Sequence, residues 1–117
     1  MLDIKRGDVC LVDFGNQIGS IQRGLRPAIV VQNDKGNKYS PVSLVVPMTS
    51  RIDSKSRLPT HVYVERGKGG IKTDSLVLAE QIQTVNKSQI SRVIGKLALN
   101  DICKIDHAIL LSLGLAM

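Results

Sequence analysis

Two residues are well placed to act on a phosphate group. Arg26 ends a glycine-rich polar stretch, residues 15–26, and precedes the apolar run 27–31, whereas Thr49 follows the apolar run 42–48. A guanidinium fixed at a strand end can bind a phosphate through paired N–H groups. A neighbouring hydroxyl can donate a hydrogen bond to a phosphoryl oxygen as negative charge develops there. The alternative is a solvated arginine and a loop-capping threonine, and spacing alone favours that alternative.

Residue types that build metal centres are few and scattered. The chain has two histidines, His61 and His107, and two cysteines, Cys10 and Cys103, with no metal-ligand spacing, phosphate-binding loop or dinucleotide fingerprint. Both cysteines lie in apolar runs, which predicts reduced, buried thiols. His107 is interpreted as a surface or packing residue. The sequence therefore argues against metal-assisted hydrolysis and against a function driven by a bound nucleotide, and it predicts neither a metal nor a cofactor.

Positive charge is concentrated in one third of the chain. The 117 residues carry 16 Lys and Arg against 10 Asp and Glu, a formal net charge of +6. Residues 35–72 account for this whole excess, because the remaining residues hold equal numbers of cations and acids. A basic segment in a chain that is otherwise neutral indicates a polyanion partner. The alternative is that these side chains only keep the protein soluble.

The elements that must position these residues are mostly strands. Apolar, β-branched runs bounded by glycine and polar residues predict strands at 9–14, 27–31, 42–48, 61–65, 76–85 and 93–97. Residues 15–26 read as a long loop, 33–37 as a turn, and 50–59 as a basic loop. Pro47 indicates an edge strand or a bulge.

The end of the chain changes to a helical period. Ile102, Ile105, Ile109 and Leu113 are three or four residues apart and form one apolar stripe, with Asn100 as the predicted N-cap. These elements predict one mainly β domain, residues 1–117: a small twisted barrel or half-barrel with a C-terminal helix packed on it. The start does not read as a secretory signal, and the apolar end, 108–117, is too short to span a bilayer, so a cytoplasmic protein is expected.

Eight short motifs, in order, carry a family resemblance over nearly the whole chain. They are KRGDV at 5–9, GS at 19–20, GLRP at 24–27, VQND at 31–34, PMTS at 47–50, LPTHV at 58–62, DS at 74–75 and EQI at 80–82. In these motifs the chain resembles the MazF/PemK toxins of type II toxin–antitoxin modules. The resemblance implies an SH3-like β-barrel of the CcdB/PemK type with a C-terminal α-helix. It also implies a homodimer with a basic groove, and inhibition by a cognate antitoxin.

The resemblance implies a metal-independent endoribonuclease that cleaves single-stranded RNA, including mRNA, at short sequence motifs. The family's catalytic arginine and threonine fall on Arg26 and Thr49. Positions that line the RNA groove in relatives fall on Ser20, Leu58, His61, Glu80 and Gln81. The chain departs from the family pattern at Cys10, Ile21, Arg23 and Gln83. The last three changes argue against assigning a relative's recognition sequence to this chain.

Transesterification of RNA needs no nucleophile from the protein, because the 2′-hydroxyl attacks the adjacent phosphate. Arginine is almost never deprotonated at neutral pH, so Arg26 is interpreted first as a phosphate clamp. His61 and Glu80 are alternative proton carriers, and both also fit a base contact or a packing role. Two other functions remain open: a toxin of the same fold that binds a topoisomerase, and a non-catalytic nucleic-acid-binding regulator.

Overall fold

The computed structural model describes residues 2–52 and 58–117. Seven strands are formed: β1 (Asp8–Asp13), β2 (Leu25–Val30), β3 (Val42–Thr49), β4 (His61–Val64), β5 (Ser75–Leu78), β6 (Gln83–Asn86) and β7 (Ile90–Lys96). Two α-helices, α1 (Asp34–Tyr39) and α2 (Leu99–Ser112), and three 3₁₀ turns complete the described elements: Lys68–Gly70, Ala79–Gln81 and Lys87–Gln89. The predicted mainly β fold with a C-terminal helix is confirmed.

The strands form one antiparallel sheet in the order β4-β5-β3-β2-β1-β7, with β6 also paired to β3. Val45 pairs with Val30 of β2 on one edge and with Gln83 of β6 on the other. The end strands of this order, β4 and β7, are not paired with each other, so the described sheet is open, which agrees with the half-barrel form of the prediction. The turn Lys68–Gly70, which follows β4, lies against β7 instead.

Close packing between that turn and β7 requires glycine on both sides. A Cβ on Gly70, whose φ is +80°, would lie 2.2 Å from the carbonyl oxygen of Ile94. A Cβ on Gly95 would lie 2.3 Å from the carbonyl oxygen of Gly69. Main chain therefore meets main chain directly, and any side chain at Gly70 or Gly95 would separate the two segments.

The single strand predicted at 76–85 is wrong, because the turn Ala79–Gln81 divides it into β5 and β6. Pro47 of β3 explains the interruption. The Val31 N–H donates to the Leu44 carbonyl at 2.9 Å, so residue 44 directs its main-chain groups toward β2. Main-chain groups of successive residues face opposite edges of a strand. Position 47 therefore faces the β5/β6 edge, where proline has no N–H to donate. Pro47 lies in a central strand, not at the sheet edge.

Two other local predictions are corrected at helix starts. Residues 33–37, predicted as a turn, begin α1, because the Asn33 side chain accepts a hydrogen bond from the Gly36 N–H at 2.8 Å and caps the helix. The N-cap of α2 is Ala98, not Asn100, and it has no side-chain cap. The buried carboxylate of Asp101, in the first turn of α2, lies 3.7 Å from Lys68 Nζ, and an acid at this position also suits the helix dipole.

Buried side chains form one cluster on each face of the sheet. In β2, Ile29 belongs to the cluster that α2 covers, whereas Ala28 and Val30 belong to the cluster on the opposite face. Ile105 of the predicted helical stripe is fully buried in the first cluster, and Ile102 and Ile109 pack against it. Leu113 follows the end of α2 and is 55% exposed. Both strand faces are therefore apolar, and the polar site residues lie at strand ends and in loops.

The two cysteines have different environments, and neither forms a disulfide. Cys10 is buried in the second cluster, as predicted. Burial, assisted by the nearby charge of Asp8, raises the pKa of its thiol to about 12. Cys103 is exposed on α2, so its predicted burial is wrong. The apolar run that suggested burial is a helix, in which position 103 lies outside the stripe that faces the sheet.

A candidate anion-binding site

The register of β2 and β3 brings the two candidate catalytic residues to one place. Ala28 pairs with Pro47 and Val30 pairs with Val45. Continued by two residues, this register sets Arg26 opposite Thr49. Residues directly opposite in an antiparallel pair lie on the same face, with Cβ atoms about 5 Å apart. Two residues that are far apart in sequence are thus directed to the same end of the same sheet face.

The Arg26 guanidinium is partly fixed by the loop before it. Its Nε donates to the carbonyl oxygen of Arg23 at 2.6 Å. This bond uses one donor and leaves the two terminal nitrogens for an anion. Arg26 is only partly buried at the start of its strand, so these nitrogens are within reach of a ligand.

Thr49 is 7% exposed and ends β3. Its Oγ1 accepts a hydrogen bond from the Arg51 N–H at 3.1 Å. Because this contact uses a lone pair of the oxygen, the hydroxyl hydrogen remains able to donate to an acceptor. The hydroxyl is thus oriented by the main chain of the loop that carries Arg51.

A cavity of about 540 Å³ opens beside Arg26. Its lining is polar and basic, and Thr49 is not among the residues that form it: Gly19, Ser20, Ile21, Gln22, Arg23, Arg26 and Arg51. The ion pairs within the described part of the chain involve Lys5, Arg6, His61 and Lys68, so no described carboxylate neutralises the three arginines of the cavity. Three arginines with no carboxylate partner among the described residues line one opening, which makes it a candidate anion-binding site.

A second set of predicted residues forms a hydrogen-bonded cluster. Nδ1 of His61 accepts from the Leu58 N–H at 3.1 Å, and Nε2 lies 2.9 Å from Oε2 of Glu80. The other carboxylate oxygen of Glu80 accepts from the Thr60 hydroxyl at 2.8 Å. An unprotonated Nδ1 assigns the ring hydrogen to Nε2, which then donates to Glu80. Both ring nitrogens of His61 are therefore engaged by the protein.

Gln81, next to Glu80 in the turn Ala79–Gln81, holds the loop that forms the cavity wall. Its Oε1 accepts from the Gln22 N–H at 2.9 Å, and its Nε2 donates to the Ser20 carbonyl at 3.0 Å. Further along the same loop, Gln17 Nε2 lies 3.5 Å from Oε1 of Gln83. Adjacent residues of one short turn thus fix the turn at 58–61 and the loop at 15–24.

The structure adds Arg23, Arg51 and Gln22 to the site predicted from sequence. Arg51 belongs to the basic segment 35–72, whereas Arg23 appeared only as a departure from the family pattern. Within that basic segment, Lys68 is paired with Asp101 and lies outside the cavity lining. Lys55 and Arg57 lie outside the described residues.

The remaining predictions concern His107, a metal site and a membrane span. His107 is exposed on α2, as expected for a surface residue. Residues 2–52 and 58–117 contain no cluster of three or more His, Cys, Asp or Glu side chains arranged to hold a metal ion. In the same residues, no helix has the length and apolar character needed to cross a membrane.

The structure is therefore a small antiparallel sheet with a C-terminal helix and an arginine-lined cavity beside the start of β2. The sequence model of the PemK-like, MazF-like toxins of type II toxin–antitoxin systems matches residues 5–113. The chain belongs to this family.

Several solved structures have the same fold. MazF from Deinococcus radiodurans aligns with a TM-score of 0.83 at 21% identity, over 97% of this chain and 99% of that one. An endoribonuclease in complex with its cognate antitoxin, from a mycobacterial species, aligns with a TM-score of 0.76 at 24% identity, over 100% and 99%. The Mycobacterium tuberculosis toxin MazF-mt6 aligns with a TM-score of 0.77 at 19% identity, over 94% and 99%.

Proposed function

We propose that this chain is a metal-independent endoribonuclease toxin that cleaves single-stranded RNA, including mRNA, at specific sequences in the cytoplasm. The observation that carries the proposal is the β2/β3 register, which ends at the pair Ala28–Pro47 and, continued by two residues, sets Arg26 opposite Thr49. Arg26 also lines an open, basic cavity. Membership of this toxin family supports the same activity, and two solved structures with this fold are of endoribonucleases.

In the proposed reaction, the RNA 2′-oxygen attacks the adjacent phosphorus while the bond to the 5′-oxygen breaks. The 2′-hydroxyl gives its proton to solvent water, and the departing 5′-oxygen takes a proton from solvent water, so that the step is balanced. The products are a 2′,3′-cyclic phosphate and a 5′-hydroxyl. Arg26 binds the scissile phosphate through its terminal nitrogens and stabilises the added negative charge. Thr49 donates its hydroxyl hydrogen to a phosphoryl oxygen in the same transition state. The protein supplies orientation and charge, so the reaction needs no nucleophilic side chain.

His61 and Glu80 act in this proposal as positioning residues for the turn at 58–61. Both ring nitrogens of His61 have protein partners, and both carboxylate oxygens of Glu80 do too. A proton carrier would have to break one of these bonds in every cycle. Leu58 is half exposed on this turn, and Ser20 lines the cavity. In this proposal these two residues contact RNA bases.

The decisive experiment is incubation of the purified chain with a long single-stranded RNA in excess chelator. We expect cleavage products that carry 5′-hydroxyl ends. Arg26→Met should abolish cleavage, with circular dichroism as the control for folding. An oligonucleotide with a 2′-deoxy sugar at the scissile position should bind and remain uncut, because the attacking oxygen is missing. Activity that appears only with a divalent cation, or cleavage of the 2′-deoxy bond, would refute the mechanism.

The proposed protein partner is a cognate antitoxin with an acidic, partly disordered segment. Such a segment competes with RNA for the arginine-lined cavity, since both are polyanions. A non-cleavable RNA and the antitoxin should therefore displace each other, and Arg51→Glu should weaken both ligands. A stable ternary complex with unchanged RNA affinity would exclude a shared surface.

The proposed assembly is a homodimer. An apolar groove of about 410 Å³ lies between α2 and the sheet, and its lining includes Leu44, Ile82, Leu110 and the exposed Leu113. An exposed leucine on the wall of an apolar groove suits a two-fold contact, in which each copy fills the groove of the other. Leu113→Lys should shift the sedimentation coefficient from dimer to monomer. A wild-type chain that sediments as a monomer at micromolar concentration would refute the dimer.

A further inference from the structure

The cavity beside Arg26 holds more positive charge than one phosphodiester neutralises. Arg23, Arg26 and Arg51 all line it, and arginine stays charged at every physiological pH. Each phosphodiester carries a single negative charge, and like charges around one opening repel each other. An RNA strand that presents two neighbouring phosphates matches this charge better than a strand bound through the scissile phosphate alone.

The position of Arg23 is fixed relative to Arg26. The carbonyl oxygen of Arg23 accepts the hydrogen bond from Arg26 Nε at 2.6 Å. The next residue, Gly24, donates to the Gly15 carbonyl and accepts from the Phe14 N–H, each at 2.9 Å, and these bonds close the base of the loop. The main chain of Arg23 is therefore held in place, and Arg23 is an exposed residue of the cavity lining.

We propose that Arg23 binds the RNA phosphate next to the scissile phosphate that Arg26 holds. The proposal rests on the proposed ribonuclease function and extends its substrate from one phosphate to two consecutive ones. The bond between Arg26 Nε and the Arg23 carbonyl couples the two subsites, because the same contact orients the Arg26 guanidinium and holds the main chain from which the Arg23 side chain extends. Arg23, one of the positions at which the chain departs from the family pattern, is thus a substrate-binding residue.

Binding of a non-cleavable single-stranded RNA, with a 2′-deoxy sugar at the scissile position, tests this subsite without depending on turnover. For single strands, each phosphate contact contributes about −0.7 to the slope of log K against log [salt]. Arg23→Gln should reduce the magnitude of this slope by about 0.7 and weaken binding roughly tenfold at low salt. Arg92→Gln is the matched control, because Arg92 is an exposed arginine of β7 outside the cavity lining. It should change neither quantity.

Neutral methylphosphonate linkages then locate the contact. Placed one at a time on either side of the scissile phosphate, one of them should weaken binding to the wild type and have no added effect on Arg23→Gln. Arg23→Lys, which keeps the charge, should retain the salt slope but not the full affinity, because lysine lacks the paired N–H groups.

The outcomes separate this inference from the function on which it rests. If the wild type neither binds nor cleaves RNA, both are wrong. If the wild type cleaves RNA but Arg23→Gln keeps its affinity and salt slope, only the second phosphate subsite is wrong. If the methylphosphonate penalties are equal in the wild type and in Arg23→Gln, Arg23 contacts neither neighbouring phosphate, and the inference is overturned.

Discussion

Replacing Thr49 by valine removes one hydroxyl and almost nothing else. Thr49 is 7% exposed and ends a strand, and valine has nearly the same shape and favours strands at least as strongly. The change deletes the acceptor of the Arg51 N–H bond, a contact of about 1 kcal/mol that water replaces in part at an exposed loop. A loss of that size lowers the melting temperature by about 4 °C at most. If Thr49 donates to the transition state, the rate should fall on the order of 10²-fold, or about 2.7 kcal/mol.

Single-turnover cleavage of an RNA oligonucleotide measures this rate, and thermal denaturation measures the stability of each variant. Thr49→Ser is the matched control, because it retains the hydroxyl and should keep most of the activity. A Thr49→Val protein that cleaves within about threefold of the wild-type rate would refute the catalytic role. In that case Thr49 only caps the loop after β3, and the variant would differ from the wild type in stability alone.

Three further outcomes follow from the described contacts. His61→Gln should lower the cleavage rate without changing the shape of the plot of cleavage rate against pH, because both ring nitrogens of His61 hold protein contacts. Loss of one limb of that plot would instead identify His61 as a proton carrier. Gln81→Met should increase amide hydrogen exchange at Gln22 at least tenfold, because the acceptor of that N–H is removed; unchanged exchange would contradict the loop-anchoring role. At pH 8, iodoacetamide should label Cys103 alone in the folded protein. Burial raises the pKa of Cys10 to about 12, so its thiol is almost fully protonated below pH 11, and mass spectrometry of the native protein should show one adduct.

The sequence determined most elements of the fold because their signals are local. Strand positions and the helical stripe around Ile105 could be predicted from apolar spacing alone. Each wrong prediction also has a physical cause. The strand predicted at 76–85 is interrupted because Pro47, on a neighbouring strand, cannot donate to it. Cys103 is exposed because helix geometry, and not the hydrophobicity of the run, decides which residues face the sheet.

Sequence motifs also selected Arg26 and Thr49, but their relationship depends on strand register, which no local pattern encodes. Only the pairing of β2 with β3 directs both residues to one end of one sheet face. The basic segment 35–72 was identified by counting charge along the chain, whereas two of the three arginines around the cavity, Arg23 and Arg26, come from outside it. The electrostatic potential at the cavity depends on how close the charged side chains lie in space and not on their spacing along the chain. The sequence therefore determined that the protein is basic and which residue types it offers to a phosphate, and the tertiary structure decided which of those charges surround the same cavity.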